Sequence, residues 1–236
     1  SGGAVPADSP LPLLSMNSSS DSLTYSFNPD KARQILDSAG WTSTNSGDIR
    51  VKKVSSKKNA TSTPLSIKLT TSDSPDLVNA AQIIQKNLRD IGINVVIDKR
   101  SFSDLSQNVI RPRDFEVLLF GQVYGYEEDP FAFWHSSQIK DPGLNIALYS
   151  NKTVDTLLED SRKTFDQELR DEKYQEFANQ ISKDLPAVFL YSQLYLYILP
   201  SNIQGVDLGK ISLPSDRFNG INKWYTDTAR VFNFWK

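Results

Sequence analysis

The chain has 236 residues, 39% of them hydrophobic and 23% charged, with a formal net charge of −2. That length allows one large domain or two small ones with a sizeable core, and a near-balanced charge supplies no basic field to hold nucleic acid. Cysteine is absent, which excludes disulfides, thiolate metal sites, cysteine nucleophiles and a lipid-bearing cysteine within this stretch.

The first fifteen residues are rich in Gly, Pro and Ser, and no basic stretch leads into an apolar one, so no signal peptide is read there. No run approaches the roughly 18–20 apolar residues that span a membrane. Residues 1–24 read as a linker or a segment arriving from elsewhere. Asn28-Pro29-Asp30 then opens a helix: Asn28 can cap, Pro29 suits the first helical position, and Asp30 suits the positive helix end. Ala32, Ile35, Leu36 and Ala39 lie on one face, and Gly40 stops it. Residues 42–63 read as an exposed loop or a loose hairpin around Ile49, Val51 and Val54.

The next unit has the clearest pattern. Leu65, Ile67 and Leu69 alternate with polar residues as in a strand. Ser74-Pro75-Asp76 starts a helix with Leu77, Ala80, Ala81, Ile84, Leu88 and Ile91 on one face, ended by Gly92. Ile93, Val95 and Ile97 alternate again, so the three form a βαβ unit with parallel strands. Phe115 to Phe120 is an almost continuous apolar run and predicts a buried central strand. Ligands of open α/β sheets bind beyond the carboxyl ends of strands, and the segment Gly121 to Pro130 follows such an end. Asn151-Lys152 leads a helix with Val154, Leu157 and Leu158 inward. Asp166 caps another with Leu169, Tyr174, Phe177 and Ile181 inward, and Pro186 breaks it. Ala187 to Leu199 reads as strand, and residues 201–236 show turn signals with scattered aromatics.

Little of this supports catalysis. His135 is the only histidine and the chain has no Gly-x-Ser-x-Gly turn, so a serine triad lacks its parts. Zinc needs several His or Cys ligands. His135, beside Trp134, is read as a structural hydrogen-bonding residue or as a ligand contact. Glu127, Glu128 and Asp129 could supply a glycosidase pair, but adjacent loop residues rarely approach one bond from opposite sides. They also lack the spacing of a calcium loop, and Asp129 before Pro130 reads as a helix-start cap. Tyr124 and Tyr126 lie outside any apolar periodicity, so each can face a pocket, offering a flat apolar ring and a hydroxyl to a polar organic ligand.

Taken in order, these segments resemble the extracytoplasmic solute-binding proteins that serve peptide, oligopeptide and nickel ABC importers. The residues that carry the likeness are Phe27 to Leu36 with Ala39-Gly40-Trp41, Asn87-Leu88 to Ile93, Asp129-Pro130-Phe131 with Trp134 to Ser137, Asn145, Tyr149-Ser150-Asn151 with Val154-Asp155-Leu157-Leu158, and Arg170, Tyr174, Asp184, Pro186 and Phe189-Leu190-Tyr191. The likeness covers about residues 25–225. It implies an α/β, periplasmic-binding-protein-like type II lobe with a mixed, mainly parallel sheet flanked by helices. Residues 25–200 would be the C-terminal ligand-binding lobe, and 201–236 a tail that returns toward the first lobe. The implied function is the substrate-binding component of an ABC importer, not an enzyme, taking a peptide or other small polar solute in an interlobe cleft. Its partners would be the permease subunits and the missing first lobe. Its place would be outside the cytoplasm, with a lipid anchor on the full-length protein. An interaction or sensory module on the same fold is the alternative, and a glycosidase a third. The candidate ligand-binding residues are Gln122, Val123, Tyr124, Gly125, Tyr126, Asp129, His135 and Asn145, with no cofactor and no metal. In peptide-binding members an acid three positions before the Asp of the Asp-Pro pair meets the peptide amino terminus. Here that position is Tyr126, so the carboxylate is not carried over.

Overall fold

The computed structural model describes residues 3–11, 25–43, 45, 47–55, 60–125, 129–209, 211 and 213–226. In chain order the principal elements are β1 (Ala4–Pro6), α1 (Pro29–Ser38), β2 (Val51–Ser55), β3 (Ala60–Pro64), β4 (Ser66–Ser72), α2 (Pro75–Asp90), β5 (Asn94–Arg100), α3 (Phe102–Asp104), β6 (Val117–Leu119), α4 (Phe131–Trp134), α5 (Lys152–Lys163), α6 (Gln167–Asp184), β7 (Tyr191–Gln193), β8 (Ile203–Gln204) and β9 (Tyr225–Thr226). They fall into two compact units: one of Tyr25–Gln122 with Lys140–Pro142, the other of Ser1–Thr24, Val123–Ile139 and Gly143–Lys236. Residues 25–200, expected as one lobe, are therefore shared between two units, and the chain passes from one to the other at Gln122–Val123.

The unit of residues 25–122 is built on the βαβ pattern. β4 and β5 pair in parallel with Ile67 opposite Val95 and Leu69 opposite Ile97. β6 pairs in parallel with the other edge of β4, Leu69 opposite Val117. α2 lays Ala81 against Leu69, Val95 and Leu119, with Leu77, Ile84 and Leu88 around them. Each large apolar side chain so buried stabilises the unit by about 1.5–3 kcal/mol. The expectation of a central strand at 115–120 is corrected: β4 is central, β6 is a three-residue edge strand, and Val117 is exposed. An apolar run fixes that a strand is attractive to bury, not which neighbours it meets. Residues 51–64 form the hairpin β2–β3, with Val51 opposite Pro64. The stretch after β5, which has little sequence signal, forms α3 and a π-helical turn, Leu105–Ile110, with Leu105 and Val109 buried.

Helix ends in this unit are held by side chains. Asn28 Oδ1 accepts from Lys31 N at 2.9 Å, as its cap position predicts. The buried Arg50 donates from Nε to Ile91 O at 2.8 Å, just past α2, and from Nη1 to Trp41 O at 2.6 Å, just past α1. A cation there meets the carbonyl ends of two helices, where their dipoles favour positive charge. Gly92 has φ +88°, and a Cβ on it would stand 2.8 Å from Arg50 Cγ, so the glycine serves both the turn and the close approach.

The other unit packs Leu11, Trp134, Val154, Leu158, Phe177, Ala178 and Ile181 into one core. The residues expected to be a linker contribute to it: Ala4–Pro6 pairs antiparallel with Tyr191–Gln193, and Leu11 is buried. Asn151 Oδ1 caps α5 by accepting from Thr153 N at 2.9 Å, and Asp166 Oδ1 caps α6 by accepting from Leu169 N at 3.1 Å. Leu169, expected inward, is half exposed. α6 ends at Leu185 in the left-handed region, ahead of Pro186. Of the strand expected over 187–199, only Tyr191–Gln193 forms, and Val188, Leu196 and Ile198 are exposed. A strand needs a backbone partner, and β1 offers only three residues. Asp184 joins the two helices at their ends. Its carboxylate accepts from Tyr149 Oη at 2.6 Å, Asn151 Nδ2 at 2.9 Å and Gln180 Nε2 at 2.9 Å. The Tyr149 hydroxyl, with help from Gln180 and Asn151, holds this carboxyl below the usual carboxylate range. Burial first, and the neighbouring Asp184 second, push the Tyr149 hydroxyl up.

Two outcomes follow from this packing. Phe177 is fully buried against Trp134, so Phe177→Ala lowers stability by about 3–5 kcal/mol in urea unfolding, whereas Leu196→Ala, at an 81% exposed side chain, changes it by less than about 0.5 kcal/mol. Because the folded-state pKa of Asp184 is depressed, its stabilisation is present above the ordinary value of about 4 and is lost as pH falls through the lower folded value. Melting temperature followed from pH 6 downward therefore declines less in Asp184→Asn than in the unaltered chain.

Candidate functional site

The three strands of the β5–β4–β6 sheet run in parallel, so their carboxyl ends lie on one side. Thr71 Oγ1 donates to Leu119 O at 2.9 Å, in the buried interior, and fixes the last residue of β6. Gly121 and Gln122 leave the sheet there, and Val123, Tyr124 and Gly125 follow in extended or irregular backbone. Gln122, Val123 and Gly125 are exposed, and among the described residues nothing stands within 4 Å of a Cβ built on Gly121 or Gly125. In the chain this exposed segment follows the carboxyl end of a parallel strand, the kind of end beyond which α/β folds hold ligands.

Tyr124 is placed differently from its neighbours. Its ring packs on Phe133 with centroids 4.9 Å apart. Its hydroxyl donates to Pro10 O at 2.7 Å and accepts from Trp134 Nε1 at 3.2 Å. Tyr126, Glu127 and Glu128 lie outside the described residues.

Past that gap the candidate residues serve the protein itself. Asp129 Oδ1 accepts from Phe131 N at 3.0 Å at the start of α4, while the cap position expected of Asp129 is taken by Pro130. Its Oδ2 accepts from Arg162 Nε at 2.8 Å and Nη2 at 2.6 Å. The Arg162 guanidinium lies 3.7 Å over the Phe131 ring, and that ring stacks on His135 with centroids 4.1 Å apart. His135 is buried, and its Nδ1 accepts from Ser137 N at 3.1 Å. Its Nε2 stands 3.4 Å from Glu159 Oε1 and 3.8 Å from Asp155 Oδ1, within ion-pair reach but without hydrogen-bond alignment. Asn145 is fully buried. Its Nδ2 donates to Tyr149 O at 2.8 Å, His135 O at 3.1 Å and Trp134 O at 3.3 Å, while its Oδ1 accepts from Tyr149 N at 3.2 Å. Both ends of this amide are spent on backbone, so Asn145 ties the loop before α5 to the end of α4. Of the residues singled out in the sequence, Gln122, Val123 and Gly125 are exposed, and Asp129, His135 and Asn145 make hydrogen bonds within the fold.

Arg162 and Trp134 as partners of Asp129 and Tyr124 were not read from sequence. Arg162 stands 33 positions from Asp129 in a helix face that reads as ordinary solvated charge. No spacing rule connects the two. Among the described residues no group of three or more His, Asp or Glu side chains could hold a metal ion, and no helix is long and apolar enough to cross a membrane.

The family model for the middle region of bacterial extracellular solute-binding proteins, family 5, matches residues 1–142. The oligopeptide-binding protein AppA of Bacillus subtilis is 30% identical over 203 residues, which are 85% of this chain and 35% of that protein. The nickel-binding periplasmic protein of Escherichia coli is 27% identical over 169 residues, 70% of this chain and 30% of that one. Thus the chain spans about a third of the length of these relatives. Among solved structures, Bacillus subtilis AppA in complex with a nonapeptide superposes with a TM-score of 0.71 at 28% identity, covering 96% of this chain and 43% of that one. The oligopeptide-binding protein of Thermus thermophilus, with a pentapeptide, gives a TM-score of 0.70 at 18% identity over 86% of this chain and 36% of its own, a likeness of fold. The α/β, type II periplasmic-binding-protein-like architecture expected from the sequence is the one these neighbours share. With its parallel sheet, its strand-end segment and more than half its length matched, this chain belongs to the bacterial extracellular solute-binding proteins of family 5.

Proposed function

We propose that this chain is the C-terminal ligand-binding lobe of the substrate-binding component of an ABC importer, and that it takes a peptide-like solute without catalysing a reaction. The observation that carries the reading is the exposure of Gly121, Gln122, Val123 and Gly125 in the segment that follows the last strand of a parallel sheet along the chain, in a chain whose relatives include oligopeptide-binding proteins. The solute contacts fall to Gln122, Val123, Tyr124, Gly125 and Tyr126. A serving lobe of this kind supplies half of an interlobe cleft. Closure of the first lobe onto it buries the solute, so binding shifts an open–closed equilibrium. The exposed apolar side chains of Val188, Leu194, Leu196 and Ile198, with the tail after residue 200, fit a return toward that first lobe. The permease subunits are the further partners, and the working location is outside the cytoplasm with a lipid anchor on the full-length protein. A glycosidase finds little here, since Asp129 is engaged by the Phe131 amide and Arg162.

Half a cleft offers about half the contact area and no enclosure, and ordering costs are paid in full. Calorimetric titration of this chain alone with oligopeptides therefore yields little heat, and submicromolar binding would contradict the reading. Gly125→Val adds bulk into open space, so it leaves the melting temperature unchanged while weakening solute binding by the full-length protein about tenfold, or roughly 1.4 kcal/mol. Unchanged affinity would take the segment out of the site.

A further inference from the structure

Tyr124 is the one residue of Gln122–Gly125 that is not exposed. Its hydroxyl is caught between the Pro10 carbonyl, which accepts its proton, and the Trp134 indole, whose N–H it accepts. Trp134 is itself only 3% exposed. Phe189, Phe177 and Tyr149 surround it with ring centroids 6.0, 6.2 and 6.3 Å away. Two of those rings come from α6 and from the residues just after it, and Tyr149 is fixed in turn by Asn145 and Asp184. The indole therefore cannot follow a moving loop; the loop must stay where the indole N–H directs it. Buried Tyr and Trp polar groups generally need a partner, and here each satisfies the other.

We infer that Trp134 is a positioning residue for the solute segment, acting through the Tyr124 hydroxyl. It never touches the solute. It sets the height and direction at which Val123 and Gly125, on either side of Tyr124, leave the protein surface. Pro10 completes the tether from the other side, so the same hydroxyl also fastens the segment to the residues that precede Leu11 in the core. For solute binding this rests on the reading that Gln122–Tyr126 carries the contacts; the tether itself does not.

The test separates the two. Backbone ¹⁵N order parameters of Val123–Gly125 are measured in this chain, in Trp134→Phe, in Tyr124→Phe and in the double variant. Phenylalanine keeps a ring at each place and removes the hydrogen bond. Order parameters of the segment should fall from about 0.85 toward 0.6 in either single variant, while those of α6 stay unchanged. The double variant should be no looser than Tyr124→Phe alone, since that change already removes both hydrogen bonds of the hydroxyl, the one from Trp134 included. A segment that stays rigid in Tyr124→Phe, or additive effects in the double variant, would overturn the inference. Loosening that spreads into α6 in Trp134→Phe while Tyr124→Phe stays rigid would show Trp134 to be packing alone, which also overturns it. In the full-length protein, Trp134→Phe should weaken oligopeptide binding about fivefold for one net hydrogen bond, and Tyr124→Phe, which also loses the bond to Pro10 O, at least as much. Equal affinity of variant and unaltered proteins would overturn the positioning role. If the unaltered full-length protein binds no oligopeptide, the solute reading falls, and the order parameters still decide the tether.

Discussion

Trp134 is where the larger unit is joined. Its indole is buried in the core formed with Val154, Leu158, Phe177 and Ile181, and its one polar atom leaves that core to meet Tyr124. Its carbonyl, with that of His135, is met by the Asn145 amide. Hydrophobic burial alone would hold the ring without directing anything. The indole N–H and the Asn145 amide give the core a direction, because unpaired buried polar groups cost more than paired ones gain. Strand-end segment, short α4 helix and the loop before α5 all take their positions from that requirement.

The smaller unit solves a different problem with the same means. Its sheet has only three strands, so the ends of its two main helices matter as much as the face they bury. Arg50 gathers carbonyls just beyond both helices, and Gly92 leaves room for it. The parallel order of β5, β4 and β6 then brings three carboxyl ends to one side, and the chain leaves the unit from the last of them. Ligand binding beyond such ends needs no particular side chain there.

Legibility differed between fold and site for one reason. Helices and the βαβ unit are local: Asn28, Asn151 and Asp166 lie within three residues of the amides they cap, and the α2 stripe repeats within one helix. Partnerships across the chain leave no such trace. Tyr124 pairs with Pro10 across 114 positions, and the four backbone hydrogen bonds of the Asn145 amide reach Trp134, His135 and Tyr149 with no spacing rule to announce them. His135 reads from the sequence as a structural or a ligand residue, and in the structure it is buried against Phe131 with Nδ1 on the Ser137 amide.

By itself the sequence determined that this chain is α/β, where its main helices start and stop, that a parallel pair of strands flanks α2, and which family it resembles. Each of these depends on periodicity, capping or motif order within short reach. Only the tertiary structure decided that β4 and not β6 is central, that 187–199 pairs over just three residues, and that residues near the start pack into the core. It also decided which candidate side chains face outward and which are consumed inside. Those outcomes turn on which distant backbone or side chain supplies the second half of a hydrogen bond, and that partner is chosen by packing in three dimensions, not by spacing along the chain.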